Sequence, residues 1–393
     1  MLPPELTDQV IDYLQEDKKA LSKCGRVAKS WVTRSRIYLW RRVILDCAYE
    51  STSKLSLFLD IIRDSPETAI RIEQLELSLL DSPLCDNVIL QLPSLSSLKA
   101  LSLSSCSFAR KFSPEGTLST TVRTLALARM RFSDIFAWHR FVTAFPNLQD
   151  LILGESMQIT RRVSRTPELP SKIRLRRLEM NFNDISDSFC AWSCAGIHSV
   201  MTFRLDPGAT LDFTALFAFW FDTPYGAEHL ELAMDGSGRP QGILAVNLLV
   251  RMLSIKDTLK TVTIYVVALD MPSCLRTLYR LYDRDSGTVR LNELIFVCQP
   301  DGKDSQKIGE YWEIHSELLE EMVKRGAMNI DLVTLRVAHP LRWDGSLLTG
   351  VVLMKKLLPL RLEQLEEDGT TSQYHWNGDV IADDASEDAD LSD

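Results

Sequence analysis

Leu98-Lys99-Ala100-Leu101-Ser102-Leu103-Ser104-Ser105-Cys106-Ser107-Phe108 is the segment on which the fold turns. Leu101 and Leu103 are two apart, so they share one face of a short strand, and Ala100, Ser102 and Ser104 fall on the other. The pattern L-x-x-L-x-L recurs on both sides of it. Upstream it reads Ile72-x-x-Leu75-x-Leu77. Downstream it reads Val122-x-x-Leu125-x-Leu127, Leu148-x-x-Leu151-x-Leu153 and Leu175-x-x-Leu178-x-Met180, the last continuing to Asn183 and Ile185. Weaker copies stand at Val200-x-x-Phe203-x-Leu205 and Ala227-x-x-Leu230-x-Leu232. Looser ones follow at Leu259-x-x-Val262-x-Ile264, Leu291-x-x-Leu294-x-Phe296 and Leu332-x-x-Leu335-x-Val337. Successive copies are separated by 26, 24, 26, 27, 25, 27, 32, 32 and 41 residues.

Between the strand patterns lie helix signals. Asp134 caps an expected helix bearing Ile135, Trp138, Phe141, Val142 and Phe145, stopped by Pro146. Asp304 caps another with Ile308, Tyr311, His315, Leu318, Leu319 and Met322, ending at Gly326. Pro272 opens a third with Leu275, Leu278, Tyr279 and Tyr282. Strands that alternate with helices at a steady period make parallel neighbours. The first six steps lie within the roughly 20–29 residues of the leucine-rich repeat family, which this region resembles. The resemblance implies an α/β fold: an irregular solenoid over residues 44–362 with a parallel sheet on its concave face.

Residues 2–43 follow another pattern. Leu6, Val10, Ile11 and Leu14 recur at helical spacing after a proline start. A second helix is expected to carry Leu21, Cys24, Val27, Ala28 and Trp31, and a third, short one Ile37, Tyr38 and Trp40. Val43-Ile44-Leu45 reads as a strand, followed by a helix with Leu55, Phe58, Leu59 and Ile62. A three-helix unit of this size buries little apolar surface, since below roughly 70–80 residues one core rarely gives more than ~3–5 kcal/mol. It has to dock on the repeats, on another protein, or on both. Gly25 in the second helix costs about 1 kcal/mol against a better helix former.

Leu2-Pro3-Pro4-Glu5, Ile11 and Leu14, Leu21, Val27, Lys29-Ser30-Trp31 and Leu39-Trp40-Arg41-Arg42-Val43 together resemble an F-box. The resemblance covers residues 2–43. With repeats following it, the chain resembles the fungal-type F-box and leucine-rich-repeat substrate receptors. That resemblance implies binding to the Skp adaptor of a cullin-RING ubiquitin ligase (an SCF complex), with the repeats recruiting an unidentified protein substrate. The adaptor contacts it implies are Leu2, Pro3, Pro4, Glu5, Ile11, Leu14, Val27 and Trp31, with Trp31 also a candidate for the module's own core. The other readings are a repeat-based scaffold acting outside any ligase, its N-terminal helices only capping the repeats or binding the adaptor outside a ligase, and an enzyme with an unrecognised site.

On the expected concave face, Ala100, Ser102, Ser104, Thr124, Ala126 and Ala128 are small. Arg177, Glu179, Asn181, Arg204, Asp206, His229 and Glu231 are polar or charged. Arg177, Glu179, Asn181, Arg204, His229 and Glu231 are the candidate substrate contacts. A basic stretch with Arg161, Arg162, Arg165, Lys172, Arg174, Arg176 and Arg177 suits an acidic or phosphorylated target, and Ser164 lies in a basophilic-kinase context. Residues 363–393 hold 11 Asp and Glu and no Lys or Arg, which predicts a disordered acidic tail with one aromatic cluster, Tyr374-His375-Trp376.

The remaining chain carries 44 basic and 42 acidic residues, so no overall charge points to nucleic acid. No apolar run reaches the ~18–20 residues of a membrane span, and the start of the chain lacks the pattern of a secretory signal. The expected location is cytoplasmic or nuclear. The eight cysteines include no CxxC pair, so neither a metal site nor a disulfide framework is expected. Asp283-x-Asp285-x-Gly287 fails as a calcium loop, because Thr288 replaces its glycine and Leu294 its bidentate glutamate. No phosphate loop and no nucleophile elbow occurs. The protein is expected to bind rather than catalyse, without a cofactor.

Overall fold

A computed structural model describes residues 3–47, 53–78, 85–107, 116–160, 173–181, 197–206, 228–233, 260–267, 289–299, 328–338, 360–365 and 371–373. The fold is mixed α/β. The chain divides into two compact units, residues 1–199 with 221–225 and residues 200–220 with 226–393.

Three helices open the first unit. α1 (Pro4–Tyr13) begins on a proline whose missing N–H would have no helical partner in any case. α2 (Lys18–Val27) is capped by Asp17, whose carboxylate accepts the Ala20 N–H at 2.9 Å. α3 (Lys29–Arg41) starts after a single extended residue, Ala28 (φ −151°, ψ 148°). That break moves Trp31 out of the second helix, where the sequence pattern put it, and lengthens the third. Ile11 and Leu21 are fully buried between the helices, with Cys24 at 7% exposure.

Asp12 fastens α1 to α3. Its carboxylate accepts from Arg34 Nε and Nη2 at 2.7 and 2.6 Å and from the Tyr38 hydroxyl at 2.8 Å. The Arg34 guanidinium also lies 5.7 Å from the Tyr38 ring centroid. Such a two-pronged pair fixes orientation as well as distance.

α3 runs straight into β1 (Arg42–Asp46), followed by α4 (Ser53–Asp64), α5 (Pro66–Ala69), β2 (Gln74–Ser78), α6 (Cys85–Gln91) and a short 3₁₀ turn at Leu92–Ser94. Then come β3 (Ala100–Ser104), β4 (Thr124–Ala128), β5 (Arg131–Phe132), α7 (Ile135–Thr143), β6 (Asp150–Leu153), β7 (Gln158–Ile159) and β8 (Ile173–Asn181). β1, β2, β3, β4, β6 and β8 pair in that order, every pair parallel. The sequence pattern is the register. Leu75, Leu101, Leu125, Leu151 and Leu178 stand opposite one another, as do Leu77, Leu103, Leu127, Leu153 and Met180. All ten are at most 2% exposed. The leading residue of each copy, Ile72, Leu98, Val122, Leu148 and Leu175, is buried as well.

After β3, β4 and β6 the chain turns through a left-handed residue: Ser105, Arg129 and Ser156, with φ of 58°, 52° and 55°. Each turn drops the next side chain, Cys106, Met130 or Met157, into the core. The third turn is one residue longer. Leu127 and Leu153 are in register, yet Arg131 pairs with Gln158 in the two-stranded β5–β7 sheet. Gly154 opens the longer turn. A Cβ there would lie 2.8 Å from the Ala128 Cβ, closer than packed carbons approach, so the extra residue fits only without a side chain.

Helices cover the leucine face. α4 buries Leu55, Phe58, Leu59 and Ile62. α7 is capped as its sequence predicts, Asp134 accepting the Ala137 N–H at 2.8 Å. It packs Trp138 and Phe141 on Phe132 with ring centroids 5.1 and 5.7 Å apart, and Phe141 on Phe145 at 5.5 Å. Tilted and edge-on pairs of this kind add about 0.5–1.5 kcal/mol each beyond the area they bury.

The second unit takes up β9 (Ile197–Asp206) from Val200 and continues with β10 (His229–Ala233), β11 (Thr261–Val267), β12 (Val289–Gln299), β13 (Met328–Ala338) and β14 (Leu360–Leu365), again parallel neighbours in chain order. β15 (Thr371–Gln373) closes the edge antiparallel to β14. Leu230, Val262 and Leu294 stand opposite one another as the pattern places them, and all three are buried. On β13, however, Val333 stands opposite Leu294 and Leu335 opposite Phe296, so the copy expected at Leu332-x-x-Leu335-x-Val337 lies two residues out of phase. Regular structure also extends past residue 362, where the sequence predicted the tail to begin. Leu362 pairs in β14, and Glu363 is drawn into the sheet by Arg336. The expected helices at 272–282 and 304–326, the basic residues 161–172 with Ser164, and the chain from 374 onward lie outside the described residues. No helix among the described residues is long and apolar enough to cross a membrane.

Candidate functional site

α1 turns two adjacent faces to different surroundings. Thr7 and Ile11, four apart, turn inward and are 7% and 0% exposed. Leu6, Val10 and Tyr13 recur at steps of four and three on the neighbouring face, where they are 47%, 44% and 89% exposed. With Gln9 and Leu14 they line an open groove of about 410 Å³. Scattered exposed apolar residues are ordinary, but a contiguous apolar strip along one helix is the form taken by partner-docking faces.

The expected adaptor contacts fall on several surfaces. Leu14 is half-buried and borders the groove. Pro3 and Glu5 are exposed near it in sequence, and Val27 at the end of α2 is 68% exposed. Trp31 is half-buried on α3. Ile11 is in the module's own core, because a unit this small needs its most central aliphatic side chain for itself. Leu2 and the Pro4 side chain lie outside the described residues. The residue-by-residue carry-over left out Leu6, Val10 and Tyr13. Their i, i+4, i+7 spacing was visible, but Leu6, Val10 and Ile11 fall within one broad apolar arc, and spacing alone does not say which part of it turns in.

On the sheet face away from the leucines, Ala100, Ser102, Ser104, Thr124, Ala126 and Ala128 form a half-exposed shallow area across β3 and β4. Among the candidate substrate contacts, Arg177 and Glu179 pair with each other on β8 at 3.3 Å. Next to them Arg176 grips Asp150 with two bonds of 3.0 and 2.7 Å. In the second unit His229 and Glu231 are half-buried on β10, and Glu231 stands opposite Arg204. The side chains of Arg204 and Asn181 lie outside the described residues. The first unit thus brings two of the six together, and the second unit aligns three.

A charged lattice on β12–β14 was not foreseen. Thr334, fully buried, donates to Glu293. Arg336 donates to Glu363 through Nε and Nη2 at 3.0 and 2.7 Å. Arg361 lies 3.8 Å from Glu293 and 3.9 Å from Glu363. Cations and carboxylates satisfy one another here, so little charge is left to recognise a ligand. No sequence signal marked it, since its contacts between strands join residues 27, 41 and 68 apart in the chain, which meet only through strand register.

The titrations follow the contacts. The Arg34 hydrogen bond, with help from Tyr38, holds the Asp12 carboxyl below its ordinary 3.8. Burial, and then the bond to Asp12, push the Tyr38 phenol up. Lys99 at 2.9 Å lowers Glu73, and Lys260 at 2.9 Å lowers Glu228. No cluster of metal-ligating side chains occurs among the described residues. No family model and no curated protein matches the chain.

Proposed function

We propose that the chain is a substrate-recognition adaptor of an SCF-type ubiquitin ligase, in which the N-terminal helices act as an F-box and the strand array as a leucine-rich-repeat receptor for a protein substrate. The observation that carries the reading is the exposed Leu6–Val10–Tyr13 strip beside its groove, on a three-helix module that already has its own small core. A module with a filled core and a second apolar face has that face for something else. The register-locked strands support the repeat half of the reading, and the half-exposed small-residue area offers room for a peptide. Catalysis, in this reading, belongs to the ligase.

The direct join of α3 to β1 favours the second reading, a helical cap on a scaffold, because a cap has to be rigidly attached. A pull-down separates them. The full chain is expected to retain purified Skp-type adaptor. Leu6→Ala, Val10→Ala and Tyr13→Ala together are expected to abolish retention while helicity and Tm stay unchanged, since all three side chains are exposed. No retention by the intact chain, or undiminished retention by the variant, sinks the adaptor reading.

A further inference from the structure

We propose that the outward face of α2 and the first turns of α3 is a docking surface for an acidic segment of a partner protein. Charge in the N-terminal helices is sharply divided. Residues 1–17 contain five acidic and no basic residues, whereas residues 18–43 contain nine basic and no acidic ones. Four of the nine are accounted for. Arg34 is held by Asp12, Arg41 lies 3.4 Å from Glu73, Arg42 lies 3.4 Å from Glu76, and the Lys18 ammonium donates to the Arg42 carbonyl at 2.7 Å. Lys19, Lys23, Arg26, Lys29 and Arg36 are exposed and have no carboxylate at ion-pair distance among the described residues.

The arrangement costs the helix stability. Lys19 and Lys23 are four apart and Lys23 and Arg26 three apart, so like charges neighbour each other along one side of α2 over about 10 Å. Lys18 and Lys19 also sit in the first turn, where the helix dipole disfavours cations. Lys29 and Arg36, seven apart and so on one side of α3, add two more cations on the helix that packs against α2. In a body with nearly balanced charge, a repulsive cluster of this kind is explained by a polyanionic partner that relieves it.

The chemistry beside the cations identifies the anion. The exposed neighbours on the two helices are Ser22, Val27, Ser30, Thr33 and Ile37, with Val27 at 68% and Ile37 at 37% exposure. No exposed aromatic ring stands on α2 or α3 for bases to stack on. Carboxylates for the cations and an apolar side chain for Val27 describe an acidic protein segment.

The test is independent of the adaptor reading. Fluorescence anisotropy of the full chain is measured with a short labelled peptide of alternating glutamate and aspartate around one leucine, and with a DNA duplex of equal charge. The chain is expected to bind the peptide, more weakly as salt rises, and at least about tenfold more weakly as K19E/K23E/R26E. The milder K19Q/K23Q/R26Q variant is expected to lose binding in the same direction, which guards against a folding artefact. The Leu6→Ala, Val10→Ala, Tyr13→Ala variant is expected to bind the peptide as the parent does. Absence of peptide binding, binding unchanged by both α2 variants, loss in the α1 variant, or tighter binding of the duplex each overturns the proposal, the last by reassigning the face to nucleic acid.

Discussion

Asp12 shows how one side chain sets the N-terminal helices. It is 38% exposed, as is Arg34 within a percent, so solvent screens their attraction and their value is largely geometric. Three bonds converge on one carboxylate and fix the angle between α1 and α3, and so the direction in which Leu6, Val10 and Tyr13 face. Asp12→Asn removes the charge but keeps the shape. The variant is expected to melt at a lower temperature than the parent at pH 7, and the difference is expected to shrink in acid. Asp12 is depressed below 3.8 in the folded chain. Its contribution is therefore complete above the ordinary carboxyl value and disappears as pH falls through the lower folded one. Thermal scans at pH 7 and pH 3 check this; a constant difference would mean that the charge contributes nothing.

At the scale of elements, two glycines make opposite demands. Gly25 lies within α2 with nothing within 4 Å of where its Cβ would be, and its φ is not left-handed. Gly25→Ala is expected to stabilise by about 1 kcal/mol, the ordinary helix preference. Gly154 accommodates the extra residue after β6. Gly154→Ala is expected to destabilise by about 1–3 kcal/mol through contact with Ala128. Adding Ala128→Gly is expected to recover part of the loss, although it introduces a glycine into a strand. Chemical denaturation of the two single variants and the double variant measures the coupling. Additive losses in the double variant would refute the proposed contact.

Within each of the two units the strands are held by register rather than by one central core. Each strand buries its leucines against its neighbours, so a truncation in any one acts locally: Leu125→Ala is expected to cost about 2–5 kcal/mol. Between strands, ion pairs at the strand starts link adjacent copies, Glu73 to Lys99 in the first unit and Glu228 to Lys260 in the second. Both glutamates are held below their ordinary 4.5. The folded chain is therefore expected to keep a constant Tm from neutrality down to about pH 4.5 with respect to these groups and to lose stability below it. Glu73→Gln is expected to reduce the size of that acid-induced fall in a scan from pH 7 to pH 3. An undiminished fall would assign it to other carboxylates.

The strands of the first unit, their spacing and their buried leucines are legible in the sequence, whereas on β13 the pattern is off by two residues, Val333 rather than Leu335 lying opposite Leu294. Leu101 and Leu103 predict their own partners, because a side-chain period of two and a near-constant repeat leave one register that buries every leucine. The Asp134 cap was legible for a similar reason, since capping is a contact between residues three apart in the chain. What the tertiary structure alone decided depends on distance across the fold. The neutralised lattice of Glu293, Thr334, Arg336, Arg361 and Glu363 exists only after strands far apart in the chain are laid side by side. The end of the sheet beyond residue 362 was hidden because acidic composition masked a strand whose charge is matched by Arg336. Most of all, the sequence placed Leu6, Val10 and Ile11 in one apolar arc of α1 without saying which part of it enters the core: Ile11 is buried, and Leu6 and Val10 stay exposed. Which stripe turns inward is settled by where α2 and α3 pack and by the anchor at Asp12, and that choice leaves one apolar strip open to a partner.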